Sequence, residues 1–215
     1  MKRNISLIAV LFLLSMSIFS CKKDDFNYPE GYVGESKITV YPELTLNGDQ
    51  LTIINQGTTY TDEGVVAKIG EQEVEYASSG TVDSSTPGVY VINYSAKNED
   101  GFSASSYRTV VVMSTAGDIN SHDFSGTYDR DGFPQTSTWT KTANGVYTVQ
   151  NPGGAAGVTV TAVNFEGNKI VVPQQECEAG TMSSSIGTYD LAAGKYVWAI
   201  VNAGYGGQDR TFIKK

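Results

Sequence analysis

Few residues of this 215-residue chain could carry chemistry, and its two cysteines are the first candidates. They are Cys21 and Cys177, and the chain has a single histidine, His122. A nucleophilic cysteine needs a neighbouring base to form its thiolate. His122 lies in a small, polar stretch typical of a linker, so we predict no cysteine nucleophile and assign no catalytic residue.

Cys21 follows a segment with the character of an export signal. Residues 2–3 form a positive tip, and residues 5–19 are apolar apart from serines. This run is shorter than the roughly 20 apolar residues of a stable membrane span. Residues 18–21 (Ile-Phe-Ser-Cys) resemble the cleavage site of bacterial lipoproteins, in which the new N-terminal cysteine carries diacylglycerol. The resemblance implies a signal peptide over 1–20 and lipid attachment at Cys21; an ordinary signal peptide with an accidental cysteine is the alternative.

A lipid on Cys21 would hold the protein on a membrane, since each buried CH2 contributes about 0.8 kcal/mol. The Lys-Lys-Asp-Asp at 22–25 resembles the charged segment after the lipidated cysteine of Bacteroidetes surface lipoproteins. That resemblance implies an outer membrane and its exterior face, whereas a plain solvated segment is the alternative. Residues 21–36 are polar and rich in turn formers, which predicts a flexible tether. With Cys21 lipidated, Cys177 has no partner for an intramolecular disulfide.

Composition restricts both the partners and the fold class. Lys+Arg number 15 against 23 Asp+Glu, a formal net charge of −8, and an acidic chain repels phosphate backbones. We therefore predict no nucleic-acid partner. The 23 glycines and 13 tyrosines, the many valines and threonines and the absence of a long helical period predict an all-β protein.

The N-terminal half contains the clearest strand pattern. Tyr90, Ile92, Tyr94 and Ala96 recur with period two, and the turn formers at 98–101 predict a hairpin. The stretches GTTYTDEGVVAKI and TPGVYVINYSAKNEDGFSASSYRTVVV resemble the immunoglobulin-like modules repeated on bacterial surface proteins. The matching positions are Gly57, Tyr60, Asp62, Gly64, Val65, Ala67, Gly88, Tyr90, Tyr94, Ala96, Gly101, Arg108, Val110 and Val112. The resemblance implies an immunoglobulin-like β-sandwich over 37–115 that acts as a spacer or adhesive module.

A polar stretch near 114–122 predicts a domain boundary. Beyond it, hairpin turns are predicted at 144–145, 166–168 and 192–194, which gives an antiparallel β meander or partly closed barrel over 120–215. The segments FSGTYDR and GTYDLAAGKYVWAIVNAGYGGQDRTFIKK resemble the C-terminal domains of uncharacterised Bacteroidetes lipoproteins. This implies a cell-surface setting, often beside glycan-uptake machinery, and no known reaction.

Three aromatic residues of the C-terminal half are candidates for a ligand-binding face. Trp139 lies among threonines, Tyr147 lies on the next strand, and Tyr205 lies in a glycine-flanked loop. Rings left open by small or polar neighbours suit stacking on sugars. Burial of Trp139 in the core is the alternative. Trp198, within an apolar strand, is assigned to the core.

Metal and cofactor sites are not predicted. The Asp-Arg-Asp-Gly at 129–132 resembles the start of a calcium loop but lacks the later oxygen ligands. The function predicted is that of a non-enzymatic, lipid-anchored surface protein that binds glycans as an accessory of a polysaccharide-uptake system. A docking subunit of an outer-membrane protein complex is the alternative. A hydrolase is a third hypothesis, because sequence alone does not exclude paired carboxylates.

Overall fold

The computed structural model describes residues 27–33 and 36–215, and these fall into two units divided between Thr39 and Val40. In the first unit, strand β1 (Tyr32–Val33) pairs antiparallel with β2 (Ser36–Lys37). Cys21 and the predicted signal peptide lie outside the described residues. Across the described part of the chain, no helix could cross a membrane.

The second unit begins with a two-sheet β-sandwich, as the sequence predicted. Its strands are β3 (Pro42–Leu46), β4 (Leu51–Asn55), β5 (Val65–Ile69), β6 (Gln72–Glu73), β7 (Ala77–Ser79), β8 (Gly88–Lys97) and β9 (Ser103–Met113). One sheet has the order β3-β5-β6 and the other β4-β9-β8-β7. Strand β4 runs parallel to β9, while the other pairs are antiparallel.

The sandwich core forms on the predicted face of β8. Ile92, Tyr94 and Ala96 are buried, and Gly101 takes a φ of 88° in the turn before β9. Strand β9 is also buried on its other face, where Val111 and Met113 alternate with the core residues of the sandwich. The outer face of this sheet therefore needs a covering layer.

An ion pair inside the sandwich joins β9 to the segment before β5. Arg108 is 1% exposed, and its Nη1 lies 2.5 Å from Oδ1 of Asp62. Its Nε donates to the carbonyl of Asp49 at 3.1 Å, and its Nη2 donates to the carbonyl of Asn47. The hydroxyl of Tyr94 donates to the same Asp62 oxygen at 2.7 Å. Arg108 is thus fully engaged within the protein.

The rest of the second unit is an eight-stranded closed β-barrel with a short helix, α1 (Asp118–Ser121), before it. The strands that follow are β10 (Gly126–Arg130), β11 (Thr136–Ala143), β12 (Val146–Gln150), β13 (Thr159–Glu166), β14 (Lys169–Val171), β15 (Gln175–Cys177), β16 (Gly180–Ser184), β17 (Gly187–Asp190), β18 (Lys195–Val201) and β19 (Asp209–Lys214). The ring closes because β19 pairs with both β18 and β10. The hairpin β15–β16 stands outside the ring and joins it through β18.

Aromatic rings fill the barrel. The buried rings are those of Phe124, Tyr128, Trp139, Tyr147, Tyr189, Tyr196, Trp198 and Phe212. An eight-stranded barrel is just wide enough for its inward side chains to fill it. Trp139 stacks on Trp198 with 5.2 Å between ring centroids, and its Nε1 donates to the Tyr196 hydroxyl at 3.0 Å. Packed rings therefore fill the lumen of the barrel.

The covering layer for the sandwich is the outer wall of the barrel. Val111 and Met113 of β9 pack with Val163, Phe165 and Val171, which point outward from β13 and β14; we call these residues the joint cluster. The backbone N–H of Ser114 donates to the carbonyl of Phe165 at 2.7 Å. The Thr109 hydroxyl donates to the carbonyl of Gln174 at 2.8 Å. The two halves are therefore packed as one body, and the domain boundaries drawn from sequence stay a prediction.

Stability should fall steeply at alkaline pH because of the barrel tyrosines. Burial raises the pKa values of the Tyr128, Tyr147 and Tyr196 hydroxyls. Above about pH 10 the unfolded chain releases these protons while the folded protein keeps them, so rising pH favours unfolding. Across urea titrations between pH 9 and 11, we expect little loss below pH 10 and, above it, a loss that approaches about 1.4 kcal/mol per pH unit for each tyrosine. Tyr128→Phe should reduce this slope, and an unchanged slope would contradict the assignment.

Candidate functional site

Trp139 and Tyr147 do not form the predicted ligand face. Their exposed fractions are 2% and 0%, and both rings belong to the barrel core. The Tyr147 hydroxyl donates to the carbonyl of His122 at 3.2 Å and accepts from the N–H of Phe124 at 3.3 Å. The prediction that these two rings lie open to a ligand was wrong.

The error has a physical cause in the inward face of β11. Ser137 and Lys141 share that face with Trp139, which made it look solvated in the sequence. The barrel satisfies both polar groups internally: Ser137 donates to the carbonyl of Gln150 at 3.2 Å, and the Lys141 ammonium donates to that of His122 at 2.7 Å. The threonines that flank Trp139 point away from the barrel interior. A polar face near the ends of a barrel strand is therefore compatible with burial.

Tyr205 differs from the other two candidates because it is only partly buried. It lies in the loop between β18 and β19, among Gly204, Gly206 and Gly207. Its ring packs on Gly153 in the β12–β13 loop, where a Cβ would overlap the ring carbons. That loop is tied to the barrel core by Trp198, whose Nε1 donates to the carbonyl of Pro152 at 3.0 Å. Tyr205 is thus the predicted site residue that remains at the surface, held between two glycine-rich loops.

The strand register places two arginines beside Tyr205. Directly paired residues of antiparallel strands point to the same face. Arg210 pairs with Trp198, and Arg130 pairs with Phe212, and both aromatic partners point into the barrel. The two arginines therefore continue the inward-facing rows at the end where β10 and β18 finish. The sequence analysis did not identify these two arginines. Arg210 could have been found from the alternation along β19, which places it on the same face as Phe212.

The side chains at this end are neighbours, and the Arg130 guanidinium carbon lies 4.0 Å from the Phe133 ring centroid. The Arg210 guanidinium carbon lies 5.0 Å from the Tyr205 ring centroid, and its Nη2 donates to the Tyr205 carbonyl at 2.7 Å. A Cβ on Gly154 would approach both Arg130 and Gln135 at 3.1 Å. We name this group the mouth site. It comprises Arg130, Gln135, Tyr205 and Arg210, above Gly153 and Gly154.

The mouth site contains buried polar atoms without partners. Among the described residues, these are Oε1 of Gln135, the hydroxyl of Tyr205, and Nε and Nη1 of Arg210. Buried polar groups normally form hydrogen bonds, because leaving one unmade costs about 1–3 kcal/mol. The four atoms include both donors and acceptors, so a polar group that reached them would make hydrogen bonds that the described residues leave unmade.

The electrostatics agree with an uncompensated positive charge. Burial and the nearby charge of Arg130 lower the pKa of the Arg210 guanidinium. Burial raises the pKa of the Tyr205 hydroxyl, which is protonated at neutral pH even at the ordinary tyrosine value of about 10. The group therefore combines hydrogen-bonding side chains with an aromatic ring.

The remaining candidates for chemistry have structural partners. Cys177 packs against the barrel core, and its thiol donates to the carbonyl of Gly180 at 3.1 Å. His122 stacks on Phe124 and contacts the Asn164 side chain at 3.1 Å. In the described residues, no group of three or more His, Cys, Asp or Glu side chains could hold a metal ion.

The packing of the Tyr205 ring on Gly153 can be tested with a pair of glycine substitutions. Gly153→Ala should force the ring off its seat and lower the free energy of unfolding by about 1–3 kcal/mol, as overpacking does. Gly204→Ala is the matched control, because its Cβ would meet only Oδ1 of Asn202 at 3.5 Å, an ordinary contact. Urea unfolding of the two variants measures the difference. Equal stabilities would show that the ring does not rest on Gly153.

Comparison with known proteins gives one family match and several distant structural likenesses. Residues 44–112 match the family model for the Ig-like domain of bacterial surface proteins. No curated protein shows a significant sequence match to the chain. A lipoprotein from Bacteroides thetaiotaomicron is 20% identical, with a TM-score of 0.35 over 81% of this chain and 100% of that chain.

Two further solved structures come from ZmpB of Clostridium perfringens. The M60 catalytic domain with its CBM51-1 and CBM51-2 domains is 10% identical, with a TM-score of 0.32 over 83% of this chain and 21% of that chain. The CBM51-2 domain in complex with GlcNAc, with INT domains, is 10% identical, with a TM-score of 0.30 over 80% and 43%. The sandwich that precedes the barrel is thus similar to the Ig-like domains of bacterial surface proteins.

Proposed function

We propose that this chain is a lipid-anchored, non-enzymatic protein of the bacterial cell surface whose barrel binds a glycan at the mouth site. The observation that carries the proposal is the cluster of unpartnered polar atoms around Tyr205. A sugar supplies hydroxyl donors, hydroxyl acceptors and a C–H face that packs on an aromatic ring. The mouth site offers a counterpart to each of these.

The division of labour between the two halves supports this proposal. The sandwich uses both faces of β9 for packing, one for its own core and one for the joint cluster. It therefore serves as a rigid spacer fixed to the barrel. Because aromatic rings fill the lumen, the mouth is the end of the barrel at which convergent polar groups meet glycine-rich loops.

Binding at a single mouth site should be weak. A single aromatic stack contributes about 0.5–1.5 kcal/mol beyond the area it buries. Many copies anchored on one membrane would raise the avidity for a polymeric glycan without any new contact. This suits an accessory protein of a polysaccharide-uptake system.

A glycan array probed with the full chain in detergent tests the binding. We expect signals for a limited set of glycans, and we expect Tyr205→Ala to lose them. Tyr107→Ala serves as the control, because this tyrosine contacts Glu176 beside the joint cluster, away from the mouth site. An array without signals, or equal signals from Tyr205→Ala and the parent, would contradict the proposal.

The membrane anchor has its own test. Cys21→Ala should abolish incorporation of a palmitate analogue and move the protein out of the membrane fraction, because the acyl chains supply the membrane affinity. Cys177→Ala is the matched control and should leave labelling unchanged. Protease added to intact cells tests the proposed exterior face of the outer membrane. Label retained by Cys21→Ala would refute the anchor.

A docking role is the second candidate, and an exposed aromatic pair on the sandwich favours it. Tyr41 and Phe102 are 55% and 47% exposed, with 5.3 Å between their ring centroids. Exposed paired rings are common at protein interfaces. Pull-down from membranes with the parent and with Tyr41→Ser/Phe102→Ser tests this role. A partner lost by the double variant would support docking, whereas equal recovery would count against it.

The non-enzymatic part of the proposal needs a separate measurement. Glycosidase and esterase substrates incubated with the full chain should show no turnover above a buffer control. Reproducible turnover that survives repurification would instead support the hydrolase hypothesis.

A further inference from the structure

We infer that the mouth site receives a carboxylate, so that its ligand is an acidic glycan built with uronic acid residues. This inference rests on the proposed glycan-binding function and narrows its ligand class. It is carried by two guanidinium groups that share one end of the barrel and make no ion pair among the described residues.

The ion pairs of the described chain lie elsewhere. They join Arg108 to Asp62, Lys169 to Glu166 and Lys215 to Asp129. Arg108 is the instructive comparison, because this buried arginine is neutralised by a carboxylate and also donates to backbone carbonyls. Arg210 has the Tyr205 carbonyl as an acceptor for Nη2, while its Nε and Nη1 are buried and unpartnered.

Acidic side chains of the same strands do not neutralise the arginines. Asp131 and Asp209 directly follow Arg130 and precede Arg210 in the chain, and both are exposed. Asp129 is paired with Lys215. Neighbouring residues on a strand point to opposite faces, so Asp129 and Asp209 lie on the outer side of the strands that carry the inward arginines. Asp131 lies in the turn after β10, outside the strand.

A carboxylate fits the charge of the site better than a neutral hydroxyl does. A partly buried cation without a counter-charge carries an uncompensated desolvation cost, and an incoming anion relieves it. Hydrogen bonds between guanidinium and carboxylate are charge-assisted and roughly twice as strong as neutral ones. A neutral sugar would satisfy the donors of Arg210 but leave both positive charges unpaired.

The other groups of the site require more than a simple anion. Oε1 of Gln135 is an acceptor without a donor, and it would repel a bare phosphate or sulfate oxygen. The hydroxyl of Tyr205 can accept as well as donate. A uronic acid meets all of these demands, since its carboxylate faces the arginines, its hydroxyls donate to Gln135 and its ring face packs on Tyr205. The chain as a whole is acidic and repels an anionic glycan. Attraction of the carboxylate therefore depends on the two arginines of the mouth site.

The experiment compares matched ligands. Oligomers of galacturonic, glucuronic and mannuronic acid are each titrated calorimetrically into the full chain beside the same oligomer with its carboxyls reduced to alcohols. We expect at least one acidic oligomer to bind about tenfold or more tightly than its reduced counterpart, in line with the strength of charged hydrogen bonds. Arg210→Gln and Arg130→Gln should each remove that preference. Lys97→Gln, the same charge change at an exposed site on the sandwich, should keep it.

The outcomes separate this inference from the proposed function. Equal binding of every acidic oligomer and its reduced form, or a preference that survives Arg130→Gln, overturns the carboxylate site and leaves glycan binding standing. Failure of all acidic oligomers while neutral glycans bind on the array has the same meaning. Failure of both classes overturns the proposed function as well. If a melting curve shows Arg210→Gln to be unfolded, Arg130→Gln decides the question.

Discussion

Replacing Trp139 by alanine is expected to lower the free energy of unfolding by about 3–5 kcal/mol, as large-to-small substitutions of buried aromatics do. The indole is 2% exposed and stacks on Trp198 at 5.2 Å between centroids. It also lies 5.4 Å from the Tyr147 ring, edge to face. Its removal leaves a cavity in a barrel whose walls are closed by hydrogen bonds, so the surrounding strands cannot readily collapse into the space. Urea unfolding measures the loss.

Two companion variants locate the cause of the effect. Trp139→Phe keeps a ring but removes the donor to the Tyr196 hydroxyl, so it should cost less than the alanine variant. Thr140→Ala changes the exposed neighbour on the outer face of β11 and should stay within about 0.5 kcal/mol of the parent. A Trp139→Ala protein as stable as the parent would restore the exposed-platform hypothesis that the buried ring now contradicts.

Arg108→Ala should be comparably damaging, at about 3–5 kcal/mol, because it breaks a buried ion pair. The side chains of Arg108 and Asp62 are 2% and 28% exposed, and the substitution leaves Asp62 without its cation. It also strips the carbonyls of Asn47 and Asp49 of a donor. The free energy of unfolding of the full chain, measured by urea titration, reports the loss.

The pair itself can be isolated with a double-mutant cycle. Asp62→Asn keeps a polar acceptor for Tyr94 and for Arg108, so it should cost less than Arg108→Ala. Combining the two substitutions should cost less than the sum of the single effects if the residues interact directly. Strict additivity would show that Arg108 acts through its backbone contacts alone.

The joint cluster fixes the sandwich against the barrel. Because Val111 and Met113 pack on the barrel wall, the sandwich and the barrel form one body within the unit Val40–Lys215. A sandwich packed in this way keeps a constant orientation relative to the mouth site. A flexibly linked pair of domains would not do so.

The sequence by itself determined the fold class and much of its local detail. Period-two alternation in β8 identified the core residues Ile92 and Tyr94, and turn glycines such as Gly101 and Gly145 adopt the positive φ that their hairpins need. The Ig-like pattern was recognisable because Asp62 and Arg108 sit at fixed positions within it, although their ion pair was not foreseen. These features are local, or are repeated at fixed spacing, and so they can be read along the chain.

Only the tertiary structure decided which polar-looking face was inside and where a ligand could bind. Closure of the ring through β19 turned the face of Trp139 inward, which the threonines and lysine around it did not suggest. The same closure brought Arg130 and Arg210 together with Tyr205, although Arg130 and Arg210 belong to strands at opposite ends of the barrel sequence. Such a cluster depends on strand register between distant segments. Register is set by the packing of the whole barrel, so it cannot be read from any single stretch of sequence.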